Sequence, residues 1–362
     1  MRVCLISTEV LGWGVAGGFG FATRSLGREL VRRGLDVTVV LPQPRGTAET
    51  ALALDGISVR TYPRGRPARA LTLLRECDAD VYHSQEPSPG TWLAERAMPA
   101  RVHLVTCRDP RLVRDWWLEW RHPTLSRLQV ARTAAYYENP LTRRAVRHAR
   151  AVYVPAHCLT ERVRRKYGLR ADPGFLPTPV RLPPADQLVK AASPTVCIVG
   201  RLDRRKRPGL ALDLAARFPD VRFIVAGSAQ DEGFAQELQQ RYGGRPNLEL
   251  RGFIDQFAGD ALSRILSESW LLINTSAREG LPNSFIEACG HGCAILSAVD
   301  PDGFATRFGH WARDGDFAGG LRQLLSGDAW RDAGARGASY VRATNAADPA
   351  TERHLEEYRR WS

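Results

Sequence analysis

Residues 278–297 read REGLPNSFIEACGHGCAILS, and the reading of this stretch decides the fold. Ahead of it, Leu271, Leu272 and Ile273 predict a short buried strand that ends at Asn274, Thr275 and Ser276. Gly280, Leu281, Pro282, Asn283 and Ser284 predict a turn opening a helix, with Asn283 or Ser284 as the N-cap. The helix carries Phe285, Ile286, Ala288 and Cys289 and stops at Gly290 or Gly292. Ala294, Ile295 and Leu296 then begin the next buried strand.

Two carboxylates, Glu279 and Glu287, lie eight residues apart, a little over two helical turns at about 3.6 residues per turn. One in the loop and one in the helix can face the same helix N-terminus, whose free N–H groups and partial positive charge make an anion site. Carboxylates beside such a site repel the anion unless they bind neutral hydroxyls on the same ligand. A phosphate with hydroxyls describes a sugar nucleotide. Two solvated glutamates on a surface helix are the plain alternative.

Glu-x7-Glu within E-G-L-P-N-S-F-I-E-A-x-G-x-G-x-A-I-L resembles the signature of glycosyltransferase family 4, retaining nucleotide-sugar enzymes of the GT-B fold. The match departs at Ala294, where proline is usual, and at His291, where a small residue is usual. The resemblance implies that Glu279 contacts donor-sugar hydroxyls as part of the catalytic set and that Glu287 holds the ribose hydroxyls. Gly280, Leu281, Pro282 and Asn283 would line the donor between them.

The chain has 362 residues, 44% of them hydrophobic, enough for two domains with large cores. No apolar run reaches the roughly 18 residues of a membrane span, and the start, MRVCLISTEV, lacks a signal-peptide pattern. Seven cysteines without a disulfide rhythm point to reduced thiols and a cytoplasmic setting. Cys289-Gly-His-Gly-Cys293 has metal-like spacing, but the Glu-x7-Glu reading puts it at a helix end, so no metal site is expected. The formal charge of +12 comes almost wholly from arginine and argues only weakly for an anionic partner.

The first half alternates strand and helix. Val3 to Ser7 is a strand; Gly12, Gly14, Gly17, Gly18 and Gly20 follow, then a helical pattern from Leu26 and a strand from Val37. This is a βαβ unit whose glycines let backbone approach a phosphate or sugar. In family 4 a Gly-Gly pair, matched by Gly17 and Gly18, lies against the donor's diphosphate or sugar. His83 ends the strand Ala79 to His83, where open α/β sheets place ligands. Relatives often carry a histidine in this context, which adds His83 to the catalytic candidates. Many relatives carry His-Asp after the next strand. Here the pair is Arg108-Asp109, assigned to the acceptor, with Arg108 suited to an anionic one.

Residues 108–150 interleave Trp116, Trp117, Trp120, Tyr136 and Tyr137 with arginines. Two helices packing aromatics inward is one reading; peripheral contact with a membrane surface or a lipid-linked acceptor is the other. No nucleic-acid-binding module accompanies these residues. Five prolines between 173 and 184 mark an interdomain linker.

The second half opens with the strand Thr195 to Val199, followed by Gly200-Arg201-Leu202-Asp203-Arg204-Arg205-Lys206. This run resembles the family's diphosphate-binding element and implies that Arg201 and Lys206 meet the leaving phosphate, whose growing charge needs fixed cations. In relatives the backbone beginning at Phe253 lies beside the nucleotide base. The fold expected is α/β, GT-B, with two Rossmann-like domains facing a central cleft. An acceptor domain spans 1–182, a donor domain 183–347, and a last helix at 348–362 packs back on the first. The function expected is retaining transfer of a sugar from a nucleotide-diphosphate donor to a glycan or lipid-linked acceptor, without cofactor or metal. It is placed in the cytoplasm, with a peripheral position on the inner face of the membrane as a variant. A hydrolase or epimerase acting on the same donor, and a non-catalytic sugar-nucleotide or polyanion binder, are the alternatives.

Overall fold

The computed structural model describes residues 1–14, 17–44, 46–123 and 126–362, which form two compact units. Unit 1 comprises Met1–Leu112, Ala131–Val180 and Ala347–Ser362; unit 2 comprises Val113–Val130 and Arg181–Ala346.

Unit 1 is built on an eight-stranded sheet of order β3-β4-β2-β1-β5-β6-β7-β8. The strands are β1 (Arg2–Ile6), β2 (Asp36–Pro42), β3 (Ala51–Leu54), β4 (Ile57–Tyr62), β5 (Val81–Ser84), β6 (Val102–Thr106), β7 (Ala151–Val154) and β8 (Gly174–Phe175). Continuous apolar runs such as Val3-Cys4-Leu5-Ile6 suit strands covered on both faces, and all pairings but one are parallel. The exception is the edge hairpin β3–β4, closed by Asp55 and Gly56, both at positive φ. The order reverses beside β1, so the loops after β1 and β5 flank the place where such sheets bind ligands.

The first helix, Gly18–Arg32, begins within the glycine run rather than near Leu26. The cause is Glu9, whose Oε1 accepts the N–H groups of Gly17 and Gly20, each at 2.9 Å, and so steadies a glycine-rich helix start. The last helix, Ala347–Trp361, belongs to unit 1 and buries His354, Leu355 and Tyr358 there.

Unit 2 has six parallel strands in the order β11-β10-β9-β12-β13-β14. They are β9 (Thr195–Val199), β10 (Arg222–Ala226), β11 (Leu248–Leu250), β12 (Leu271–Asn274), β13 (Ala294–Ser297) and β14 (Gly309–Trp311). The sequence runs outward one way from β9 and the other way from β12. The crevice at their C-terminal ends is therefore the topological switch point.

Apart from residues 181, 182 and 347 at the boundaries, the units depart from the expected ranges in one segment. Residues 113–130 lie within the expected domain 1–182, yet they cluster with unit 2. Two ion pairs explain it: Asp115 meets Arg278 at 3.0 Å and Glu119 meets Arg205 at 2.9 Å, with all four side chains largely buried. Removing one partner of a buried pair leaves an unmatched charge, at about 3–5 kcal/mol. Asp115→Ala is therefore expected to lower the denaturant midpoint markedly. Arg165→Ala, which breaks an exposed pair with Glu161, should change it little.

Candidate active site

The loops after β9 and β12 are laced together by their backbones. Asp203 Oδ1 accepts from the Lys206 amide at 3.0 Å and caps the short turn Arg204–Lys206. The Thr275 hydroxyl donates to the carbonyls of Lys206 (2.8 Å) and Arg207 (3.0 Å), and Arg207 Nε donates back to the Thr275 carbonyl at 2.8 Å. The Ala277 amide donates to the Arg205 carbonyl at 3.1 Å. Behind this seam, Gly227 sits so close to Gly200 that a Cβ on it would lie 1.9 Å from the Gly200 carbonyl oxygen. Only glycine allows the two turns to approach in this way.

The lacing brings the Lys206 ammonium to 3.2 Å from Glu279 Oε1, which also accepts the Ser276 hydroxyl at 2.7 Å. Burial pushes the Glu279 carboxyl up, but Lys206, the Ser276 hydroxyl and Arg205 outweigh it and hold the carboxyl below its ordinary range. Glu279 is thus ionised, and its charge is matched.

Glu287 is its opposite. It lies on the helix Asn283–Gly290, buried, and burial alone pushes its carboxyl up to about 8. The helix starts one residue earlier than the expected caps allow. Pro282 is the N-cap, Asn283 and Ser284 already lie inside the helix, and no side chain caps it. Proline at the cap offers no side-chain acceptor to the positive end of the helix. His291, a departure from the family pattern, closes the other end. Its Nδ1 donates to the Glu287 carbonyl at 2.7 Å, and its Nε2 bonds the Ser263 hydroxyl at 2.8 Å.

Gly280, Leu281 and Pro282 form the turn between the two glutamates, while Arg201 and Phe253 are exposed on loops following β9 and β11 of the same sheet. Unit 2 therefore collects Arg201, Lys206, Phe253, Glu279, Gly280, Leu281, Pro282, Asn283 and Glu287 on the loops and helix starts that follow its strands.

Unit 1 places two of the candidates among buried partners. His83 is fully buried, with Nδ1 bonded to the Tyr358 hydroxyl at 2.7 Å and Nε2 to the Thr106 hydroxyl at 2.8 Å. Burial, with help from His354 and Arg108, drives its pKa well below the usual histidine value. With the one N–H and the one lone pair of the neutral imidazole both engaged, His83 ties the last helix to the sheet. Arg108 is likewise buried. Its Nε donates to the Gln85 carbonyl at 3.0 Å, one terminal nitrogen to Gln85 Oε1 and the other to the Thr178 hydroxyl, both at 2.8 Å. A guanidinium used in this way braces the loop after β5 against Thr178. Asp109 stays near the surface and pairs with Arg111 at 3.3 Å. Gly17 and Gly18 stand beside the Glu9 carboxylate, which would oppose a phosphate at that position and suits a sugar hydroxyl better.

The structure adds Glu86, which no sequence motif marks. It follows β5 at the unit 1 switch point, is buried, and accepts the Arg108 and Asp109 amides at 2.6 and 3.2 Å. Burial and Asp109 raise its carboxyl to about 7. A carboxyl poised near neutrality can exchange hydrogen bonds with a hydroxyl. The one signal in the sequence is its place three residues past His83.

Comparison with known proteins bears on the same elements. Residues 17–179 match the model for a glycosyl transferase 4-like domain, and 184–320 match the model for glycosyl transferases group 1. The chain belongs to glycosyltransferase family 4. The family's fold is matched along nearly the whole chain. Sucrose-phosphate synthase from Thermosynechococcus elongatus is 17% identical, with 99% of each chain covered and a TM-score of 0.73. HepE of Anabaena, solved with UDP and glucose, is 15% identical, again with 99% of each chain covered and a TM-score of 0.72. The two parallel-sheet units of this glycosyltransferase are thus those of the GT-B fold. Among curated proteins, a subunit of the human phosphatidylinositol N-acetylglucosaminyltransferase is 25% identical over 107 residues. That match takes in 28% of this chain and 22% of the human protein's length.

Proposed function

We propose that this glycosyltransferase moves a sugar, with retention of configuration, from a nucleoside-diphosphate donor held by unit 2 to a hydroxyl of a glycan or lipid-linked acceptor. The observation that carries the reading is the matched Lys206–Glu279 pair beside a helix N-terminus with no side-chain cap and the uncharged, buried Glu287. Glu287 takes the ribose hydroxyls, Glu279 those of the transferring sugar, and Arg201 with Lys206 the diphosphate. The bond from the anomeric carbon to the phosphate oxygen breaks as the bond to the acceptor oxygen forms, and the acceptor's proton passes to the departing phosphate. Arg201, Lys206 and the helix N–H groups meet the charge that grows on that oxygen, so no metal is required. Glu86 and Asp109 contribute to the acceptor side. A structural neighbour solved with UDP and glucose, and a relative named for N-acetylglucosaminyl transfer, support a hexose-type donor. A lipid-linked acceptor would bring the enzyme to a membrane surface through the segment 108–150.

The test is release of nucleoside diphosphate from a panel of nucleotide sugars, with and without candidate acceptors and with a chelator. Acceptor-dependent release that survives chelation, giving a product with the donor's anomeric configuration by NMR, is expected. Equal release without any acceptor would make the protein a hydrolase, and chelator-sensitive turnover would return the leaving-group charge to a metal.

A further inference from the structure

The helix Val113–Arg121 is amphipathic in the wrong sense for a helix on a water-facing surface. At about 100° per residue, Val113, Trp117 and Trp120 fall on one side and Asp115 with Glu119 on the other. The carboxylates are the buried side, held by Arg278 and Arg205. The apolar side faces outward, with Val113 86%, Trp117 56% and Trp120 38% exposed. The two faces oppose each other, so the helix cannot bury both. The arginines that flank Glu279 and Lys206 in sequence claim the carboxylates, and the tryptophans are left outside.

Their surroundings say what they fit. The Arg121 guanidinium lies over Trp117 at 5.4 Å and that of Arg127 over Trp120 at 5.9 Å, while Leu128, beside Arg127, is 60% exposed. Within 113–130 the only acidic side chains are the two turned inward, whereas Arg114, Arg121 and Arg127 are exposed. The outward face is therefore apolar and aromatic at its centre and cationic at its rim. Indole rings and arginines prefer the headgroup level of a bilayer, and an anionic surface adds attraction for each cation.

We propose that the helix Val113–Arg121 is a docking helix for an anionic lipid surface, entering the headgroup layer through Val113, Trp117 and Trp120. This rests on the membrane setting named in the proposed function and deepens it by assigning the helix and the lipid charge, and it can fail while donor transfer stands. Neither the tryptophans nor Val113 belongs to the groups assigned to the donor.

The experiment is sedimentation of the full chain with vesicles of phosphatidylcholine, with or without phosphatidylglycerol, at low and high salt. Tryptophan emission is followed in parallel. Wild type is expected to pellet with the anionic vesicles, to shift its emission to the blue, and to release in high salt. A Trp117→Ser, Trp120→Ser double variant should bind those vesicles at least roughly tenfold more weakly while keeping wild-type nucleotide-dependent thermal stabilisation. Failure of wild type to bind anionic vesicles at low salt would overturn the proposal. So would equal binding by the double variant. Self-association that the variant abolishes, without vesicle binding, would overturn it in favour of a contact between copies.

Discussion

Lys206→Ala is expected to lower turnover at saturating donor by roughly 100- to 1000-fold, with a smaller change in the donor KM. Lys206 meets a charged diphosphate already in the ground state, so some binding loss accompanies the change. Charge on the leaving oxygen grows only as the glycosidic bond breaks, and a fixed cation aimed at it is worth more at that point. The structure adds a second consequence. Lys206 is the leading influence holding Glu279 ionised against its burial, at 3.2 Å, so its removal leaves that carboxylate with Ser276 and Arg205 alone. The activity of the variant should therefore also acquire a dependence on pH from Glu279 that wild type lacks. Wild-type turnover with only a raised KM would make Lys206 a uniform-binding residue and would cancel its leaving-group role.

Glu287 is expected to make donor binding pH-dependent. Its carboxyl sits at about 8, so most of the free protein carries it protonated at neutral pH. A carboxylate accepting two ribose hydroxyls through charge-assisted bonds is the tighter partner, so affinity should rise as pH climbs toward 8. Between about pH 6 and 8 the dissociation constant of a nucleotide sugar, whose phosphates keep their charge over this range, should fall by roughly tenfold or more. Glu287→Gln should flatten that profile and weaken binding near pH 8 by about 1.5–3 kcal/mol. Stability runs the other way. The folded-state pKa is raised, so the contribution of Glu287 is fully present below the ordinary carboxylate range and is lost as pH rises through about 8. The free Glu287→Gln protein should accordingly outlast wild type at about pH 9, by on the order of a few kcal/mol, and match it near pH 4. A flat wild-type binding profile, or a variant that binds as tightly at the higher pH, would remove Glu287 from the ribose.

What is legible in the sequence follows from where the physics is local. The strands β1, β9, β12 and β13 are uninterrupted apolar runs, and burial on both faces requires just that. Lys206 and Glu279 are each marked by a motif because each lies a few residues past a strand, at the end where the sheet reverses; their ion pair is not. The hairpin β3–β4 escapes a sequence reading although Asp55-Gly56 is a strong turn signal, because Ala51 to Leu54 is too short and half-exposed to stand out. The buried settings of His83 and Arg108 escape the sequence for a different reason. Their partners, Tyr358 and Thr178, lie 275 and 70 residues away, and no local pattern distinguishes a histidine closing a core from one facing a substrate. The tryptophan helix is ambiguous because its polarity is set by Arg205 and Arg278, which no periodicity within 113–121 can announce.

Donor capture by unit 2 is the central claim, and thermal unfolding against a panel of nucleotide sugars, run on wild type and Glu287→Ala together, tests it most directly. A ligand at about 100 times its dissociation constant stabilises by roughly 2.7 kcal/mol, a shift readily seen. At least one nucleotide sugar is expected to raise the wild-type midpoint, and the folded Glu287→Ala protein to lose most of that rise. No shift with any nucleotide sugar, or the same shift in both proteins, would contradict it.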